Sequence, residues 1–390
     1  MRKGSVAYKR ATIAMLAVGL AIFNALYATQ ALLPTLVDDL GISPTEAAMT
    51  VSATTGALAI FIVPFSILSE KFGRGRVLII SALLATTLGL MLPLAQDAGQ
   101  LIAMRALQGA MIAGTPAVAM AWLSEEIHSD DLPGAMGLYI AGNTIGGLTG
   151  RLIPAGLLEL TTWRWSLVIS GSVALGFAII MALLLPRQRN FTPKNISLSG
   201  ELRAMAGHLS NPRLLALFTT AFLGMGVFVS LYNFFGFRMV DHFGLTPSMI
   251  GLVFIMYLSG TWSSAQAGNF IRAFGRGRVV LGGAALMLLG VVACMSGNLI
   301  ITLIGLFIFT ASFFAMHSTA SGWVGQVVKK HRAEASSMYL LFYYVGSSVI
   351  GAATGSAFEH LSWTGFIGVL AAMVAVLIAV AAALALSTRR

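Results

Sequence analysis

Charge is what this 390-residue sequence has least of. Asp, Glu, Lys and Arg together make up 10% of it, where soluble domains carry about 25%. A chain of this size with so little charge cannot dress a soluble surface. Apolar residues at 57% also exclude intrinsic disorder, which needs a chain poor in them. There is one cysteine, Cys294, so no intrachain disulfide and no cysteine-based metal site can form. It lies in an apolar run and reads as a packed side chain. No Gly-Lys pair occurs, hence no complete Walker A and no expectation of ATP hydrolysis. H-E-x-x-H, G-x-S-x-G and embedded carboxylate pairs are also missing, so neither an enzyme nor a resident cofactor or metal is expected. What is plentiful is glycine, 42 residues, and glycine is enriched in membrane helices. The composition is that of a polytopic membrane protein.

A membrane helix needs about 20 mostly apolar residues. Such runs occur twelve times, at 11–36, 46–69, 77–95, 100–124, 134–157 and 164–186, then at 213–239, 248–270, 279–296, 299–324, 334–357 and 363–386. The expected fold is an all-α membrane protein of twelve transmembrane helices. Ser43-Pro44-Thr45-Glu46 reads as a capping box that opens the second helix. The basic start, with Arg2, Lys3, Lys9 and Arg10, resembles a secretory signal. Its apolar run is too long for one and eleven spans follow, so an uncleaved first helix is expected.

The net charge of +10 invites a nucleic-acid reading, which the positions of the charges remove. Twenty of the 24 Lys and Arg residues fall in the termini and alternate loops. The loops on the opposite side hold none. The remaining four, Arg105, Arg151, Arg164 and Arg238, lie within or at the edges of spans. By the positive-inside rule both termini are expected in the cytoplasm, in a cell (plasma or inner) membrane.

One long loop divides the spans six and six, giving an N-terminal bundle at 1–186, a linker at 187–212 and a C-terminal bundle at 213–390. In the linker Leu198, Leu202, Met205 and Leu209 have the spacing of an amphipathic helix on the inner membrane surface. The alternative is an unstructured tether. The halves repeat. Lys71-Phe72-Gly73-Arg74-Gly75-Arg76-Val77 matches Ala273-Phe274-Gly275-Arg276-Gly277-Arg278-Val279, and Asp38 to Pro44 matches Asp241 to Pro247. Glu159 and Trp163 match Glu359 and Trp363, and Trp122 matches Trp323.

Three motifs carry a family resemblance that covers the whole chain. Ser66 to Arg76 resembles the loop signature G-x-L-a-D-r-x-G-r-k of the major facilitator superfamily, with Ser66 for the glycine and Glu70 for the aspartate. Arg105-Ala106-Leu107-Gln108-Gly109 is similar to the R-x-x-Q-G signature of proton-coupled members. Gly142-Asn143-Thr144-Ile145-Gly146-Gly147 resembles the antiporter signature G-P-x-x-G-G, with Asn143 for proline. Together they resemble the twelve-helix drug:proton antiporter branch and its YnfM-like members. The resemblance implies two parallel six-helix bundles with a substrate site at the midplane. It implies a proton-coupled exporter of a small polar or amphiphilic molecule, by alternating access. A proton-coupled or facilitative importer of a sugar or organic anion is the alternative. A membrane-embedded enzyme and a non-transporting receptor are the rivals from other classes. The partners expected are a small-molecule substrate, protons and membrane lipids, with no nucleic acid, and the chain is expected as a monomer.

Polar side chains sort the spans without the family. Asn, Gln, His and Tyr occur in spans 1, 4, 5, 7, 8, 10 and 11 and not in 3, 6, 9 and 12. Polar groups facing lipid are costly, so the first set marks a cavity and the second a lipid-facing support. The cavity candidates are Asn24, Tyr27 and Gln30, which share a helix face, with Gln108, Tyr139, Asn143, Tyr232, Asn233, Tyr257, Gln266, His317 and Tyr343. Interhelical hydrogen bonding is the other reading for each.

No acidic residue lies near the centre of a span. Multidrug members of the family carry an embedded acid on the first helix, and Asn24 and Gln30 stand there instead, which points away from cationic drugs. Coupling candidates are therefore Arg105, His317 and Asp38. Arg105 is also readable as a structural pairing and His317 as a satisfied interior histidine. Arg151 is readable in the same two ways, the structural pairing being with Glu159 or with helix ends. For gating, the resemblance implies that the loop of Glu70, Arg74 and Arg76 locks one conformation by pairing with the other half. Gly142, Gly146 and Gly150, with Gly147, form a small-residue ladder read as a sliding interface between halves. Glu125, Glu126, Asp130 and Asp131 in one inner loop oppose Lys329, Lys330, His331 and Arg332 in its counterpart, which suggests a charge-paired gate or two solvated loops.

Overall fold

The computed structural model describes residues 1–193, 198–328 and 332–387, the side chains of Leu198, Glu201, Arg332 and Ala333 excepted. All regular elements among the described residues are helical. Twelve are long: α1 (Val6–Leu40), α2 (Pro44–Phe72), α3 (Arg74–Leu94) and α4 (Ala98–Glu126), α5 (Leu132–Leu157), α6 (Trp163–Leu184), α7 (Pro212–Asp241), α8 (Pro247–Phe274), α9 (Arg276–Ala293) and α10 (Leu299–Val327), α11 (Arg332–His360) and α12 (Trp363–Ser387). Each expected span lies on one of them. Eleven are long and apolar enough to cross a membrane. The remaining one, α5, has 26 residues but is diluted by its glycines, Asn143 and Arg151.

Local chemistry sets the ends. The capping box is present: Glu46 accepts the amide of Ser43 at 2.8 Å, and the Ser43 hydroxyl accepts that of Glu46 at 3.2 Å. Gly41 (φ 62°) and Gly244 (φ 64°) close α1 and α7 in left-handed geometry, and Gly73 (φ 99°) and Gly275 (φ 80°) make the turns into α3 and α9. These four lie at repeat-equivalent positions and need a residue without Cβ. Gly75 belongs to the first turn of α3. Three helices are interrupted, α8 by a 3₁₀ turn at Phe254–Met256. α1 leaves α-helical geometry after Tyr27, passes through a 3₁₀ turn at Gln30–Leu32 and resumes at Leu33. α4 breaks between Ile112 and Pro116, where proline has no N–H to give.

The chain forms two compact units. The first comprises Met1–Ile42, Ala53–Leu198 and Pro247–Gly251; the second comprises Ser43–Ser52, Ser199–Thr246 and Leu252–Arg390. Within the first, α1 packs on α5 and α6, and α3 on α4 and α6. Within the second, α7 packs on α11 and α12, and α9 on α10 and α12. The sequence repeat is thus a packing repeat. α1 and α7 are the most enclosed, with 78% and 72% of their apolar stretch buried, against 28% in both α6 and α12.

The glycine ladder is one place where expectation and structure part. A methyl group on Gly142 would lie 2.5 Å from the Leu16 carbonyl oxygen, and one on Gly146 2.6 Å from that of Leu20. Gly150 faces the Asn24 carbonyl as closely, and Gly19 in turn faces the backbone of Gly142 and Asn143. The ladder is therefore a backbone-to-backbone seam between α5 and α1 inside the first unit, not a seam between halves. Glycines four apart specify close approach but not the partner, and the partner is set by Gly19 on α1. In the linker, a helix forms at Leu198–His208. Met205 is buried, while Leu202 and Leu209 stay 50% and 40% exposed.

Candidate functional site

The first unit gathers its polar residues around the break in α1. A helix that stops leaves carbonyls without intrahelical donors. Arg105, fully buried in α4, supplies them: Nη1 donates to the Ala25 carbonyl at 2.8 Å and Nη2 to that of Leu26. Nη1 also donates to Gln108 Oε1, and Gln108 Nε2 donates to the Ala85 carbonyl of α3 at 3.0 Å. A cation at a helix C-terminus is also favoured by the dipole. Below the same break, Arg151 of α5 donates from Nε to Gln30 Oε1 at 2.8 Å and from Nη1 to the Gly147 carbonyl at 2.6 Å. Its guanidinium lies 3.9 Å from the Tyr27 ring centroid, a cation–π contact. Asn24 reaches Thr149 of α5 at 3.3 Å and accepts from Ser170 of α6 at 3.0 Å.

Asn24, Tyr27, Gln30, Gln108, Arg105 and Arg151 therefore form linked hydrogen-bonded groups in one unit. Arg151 is paired with Gln30 and Tyr27; Glu159, expected as its partner, accepts the Ser248 hydroxyl instead. The reason is reach: Arg151 points back along α5 toward Gly147, away from Glu159. Tyr139 is buried, with its hydroxyl 3.5 Å from the Pro116 carbonyl at the break in α4. Asn143 is half-buried against Gly19.

The second unit gathers aromatic residues. The Phe228 ring stacks on Phe313 at 4.4 Å and meets Tyr232 at 4.9 Å and Tyr257 at 5.4 Å. Tyr232 shares a 2.7 Å hydrogen bond with Thr310. The Thr310 hydroxyl hydrogen goes to the Leu306 carbonyl, so the phenol is the donor. His317 lies 5.7 Å from Phe313 and 4.7 Å from Tyr343 by ring centroid. Its Nδ1 is 3.0 Å from the Tyr339 hydroxyl. Tyr232, Tyr257, His317 and Tyr343 thus share one cluster. Asn233 is buried on α7 beside it in sequence. Gln266 belongs elsewhere, accepting from Asn269, which in turn accepts from Arg272. Asp38 is exposed on the last turn of α1 and joins neither cluster.

In the basic turn before α3, Arg74 is neutralised within its own unit. Arg74, 5% exposed, pairs with Glu70 and, at 2.6 Å, with Glu125, and donates to Ser69 at 3.2 Å. Arg76 is exposed. Glu126 accepts the amides of Arg189 and Asn190 at 2.8 and 2.9 Å, which fastens the start of the linker to α4. Asp131 accepts the amide of Lys3 at 2.8 Å, and Asp130 lies 3.4 Å from His128. Lys329, Lys330, His331 and the side chain of Arg332, the other side of the suggested gate, lie outside the described residues.

Sorting by Asn, Gln, His and Tyr missed the hydroxyls of Thr149, Ser170 and Thr310, which complete these clusters. Most Ser and Thr side chains in helices bond back to their own carbonyls, so their identity alone gives no signal. A serine aligned with an asparagine on a neighbouring span, as Ser170 with Asn24, is the sign to look for.

The family profile of the Major Facilitator Superfamily matches residues 14–240 and 232–390. The Escherichia coli inner membrane transport protein YnfM is 36% identical over 96% of this chain and 90% of its own length. The Bacillus subtilis MFS-type transporter YybF is 33% identical over 96% of this chain and 93% of its own. In structure the chain is similar to a bacterial homologue of the human lysosomal transporter Spinster, with a TM-score of 0.76 at 14% identity, covering 99% of this chain and 98% of that one. With twelve long helices in a packing repeat and a profile match spanning both halves, the chain is a multi-pass membrane transporter and belongs to the Major Facilitator Superfamily.

Proposed function

We propose that this transporter is a proton-coupled exporter of a small polar or amphiphilic molecule, working by alternating access with both termini in the cytoplasm. The observation that carries the reading is the aromatic and histidine cluster of the second unit. Tyr257 and Tyr343, half-buried on a base of buried Phe228, Tyr232 and Phe313, offer ring faces suited to an amphiphilic solute, and His317, half-buried and hydrogen-bonded to Tyr339, is set among them. Imidazole is the side chain whose ordinary titration falls between pH 5 and 8. We assign the coupling proton to His317. Arg105 is already committed to the carbonyls of Ala25 and Leu26, which suits it to holding α1 rather than exchanging protons. Cytoplasmic termini rest on the one-sided Lys and Arg distribution. Export rests on the likeness of Gly142 to Gly147 to the antiporter signature.

A second reading, import of an organic anion, is favoured by the guanidinium of Arg151 beside Tyr27 and Gln30. The test is reconstitution in liposomes with an imposed proton gradient and a panel of labelled amphiphiles and organic acids. Export reading requires gradient-driven flux of amphiphiles that His317→Asn uncouples while Arg105→Lys keeps it coupled. Flux indifferent to the gradient rejects coupling, and flux confined to organic acids selects the second reading.

A further inference from the structure

The two repeat-equivalent turns differ in what surrounds them. In the first unit Arg74 is neutralised by Glu70 and Glu125. The amide of Gly75, in the first turn of α3, donates to Gln188 Oε1 at 2.8 Å. Gln188 and Phe191 also cover Gly73, and Trp122 is fully buried beside them. In the second unit Arg272 stands where Glu70 does, and Gln326 where Glu125 does. Neither Arg276 nor Arg278 has a hydrogen-bond or ion-pair partner among the described residues. Beside them is a cavity of about 530 Å³ lined by Gly275, Arg276, Gly277, Arg278 and Trp323, with Leu281 among its apolar walls. Trp323 is 7% exposed, lines this cavity, and its indole N–H has no acceptor among the described residues.

We propose that this cavity binds a phosphate-bearing anion, and that its source is the headgroup of an anionic membrane lipid. Two guanidinium groups without counter-ions favour a phosphate, which they hold by paired N–H donors. The amides of the first turn of α9 have no intrahelical acceptor, and the equivalent amide of Gly75 takes an oxygen ligand in the first unit. A helix N-terminus adds its dipole to that preference. The indole N–H supplies a further donor. Apolar walls accept the glycerol and the upper acyl chain, which free phosphate does not need. The cavity lies at the turn between α8 and α9, with Ala382, Ala385 and Leu386 of α12 among its walls, and basic residues beside membrane spans attract anionic lipids. Thr388, Arg389 and Arg390, which follow α12 as Gln188 to Asn190 follow α6, lie outside the described residues. Charge complementarity with Arg276 and Arg278 favours an anion from outside the chain.

The test is native mass spectrometry of the full chain released from micelles doped with phosphatidylglycerol or phosphatidylcholine, with thermal shifts in inorganic phosphate in parallel. The expected result is about tenfold tighter retention of phosphatidylglycerol, lost in an Arg276→Ala/Arg278→Ala double variant and kept in Arg76→Ala. The double variant should unfold at the wild-type temperature in phosphatidylcholine. Equal retention by wild type and double variant overturns the site. A phosphate shift that needs Arg276 and Arg278, with no preference between the lipids, overturns the lipid as source. Loss of retention in Arg389→Ala/Arg390→Ala, with the double variant unaffected, moves the binding to the C-terminal residues and also overturns it.

Discussion

Glu359, at the end of α11, accepts the amide N–H of Thr45 at 2.9 Å. Its repeat partner Glu159 accepts the hydroxyl of Ser248, and Thr45 and Ser248 each follow the proline that opens their helix. A carboxylate thus sits on the first turn of α2 and another on that of α8. There, free amides and the helix dipole both attract an anion.

Replacing Glu359 by Gln keeps an acceptor and removes the charge, while Ala removes both. The Gln variant is expected to lose about 0.5–1 kcal/mol of stability and the Ala variant about 1–2 kcal/mol. Thermal unfolding of detergent-purified protein measures the difference. An Ala variant no less stable than the Gln variant means the hydrogen bond to Thr45 contributes nothing.

The seam between α5 and α1 predicts a contrast within one helix. Gly146→Ala must push α5 off the Gly19 and Leu20 carbonyls, at a cost of about 1–3 kcal/mol for overpacking. Gly137→Ala on the same helix meets nothing within 4 Å and should be neutral or stabilising by up to about 1 kcal/mol, from helix propensity. Unfolding temperatures of the two variants should straddle that of the wild type. Equal destabilisation would mean that helix backbone freedom, not the seam, matters.

Tyr27 is expected to act through its ring. Tyr27→Phe keeps the face under Arg151, while Tyr27→Leu removes it and should cost about 0.5–2 kcal/mol more. Chemical denaturation in mixed micelles reads the gap, and indistinguishable variants would dismiss the cation–π contact.

For Arg105, substitution by Lys keeps the charge but offers a single point donor in place of a planar fork. One of the Ala25 and Leu26 carbonyls is then left unsatisfied, at about 1–3 kcal/mol. The variant should melt earlier while the dependence of flux on the proton gradient is retained. Loss of that dependence at wild-type stability would place the coupling step on Arg105.

The spans, their number and their repeat were legible because hydropathy and turn chemistry are local properties. Ser43 with Glu46, and Gly73 with Gly275, could be read from a few neighbouring residues. The partners of buried groups were not legible. Spacing puts Arg151 on α5 and Glu159 just past its end, yet it cannot say that the guanidinium turns back toward Gly147 and meets Gln30. Nor does a glycine every fourth residue name α1 as the helix it admits. Glu126 reads as one more loop charge until the amides of Arg189 and Asn190, over sixty positions on, are found folded onto it. Those pairings belong to tertiary structure, where residues far apart in sequence decide each other's role.

The capping of α1 by Arg105 also has a mechanical side. The guanidinium rivets α4 to the severed end of α1, and Gln108 carries the joint on to α3. Elements joined through buried, directional bonds travel as a plate, so α1, α3 and α4 contribute one rigid body to any conformational cycle. Flexure in the first unit must then be sought away from this joint. Probes placed on α1 and α4 beside this joint, with Arg105 itself left in place, should report an unchanging separation in any such cycle.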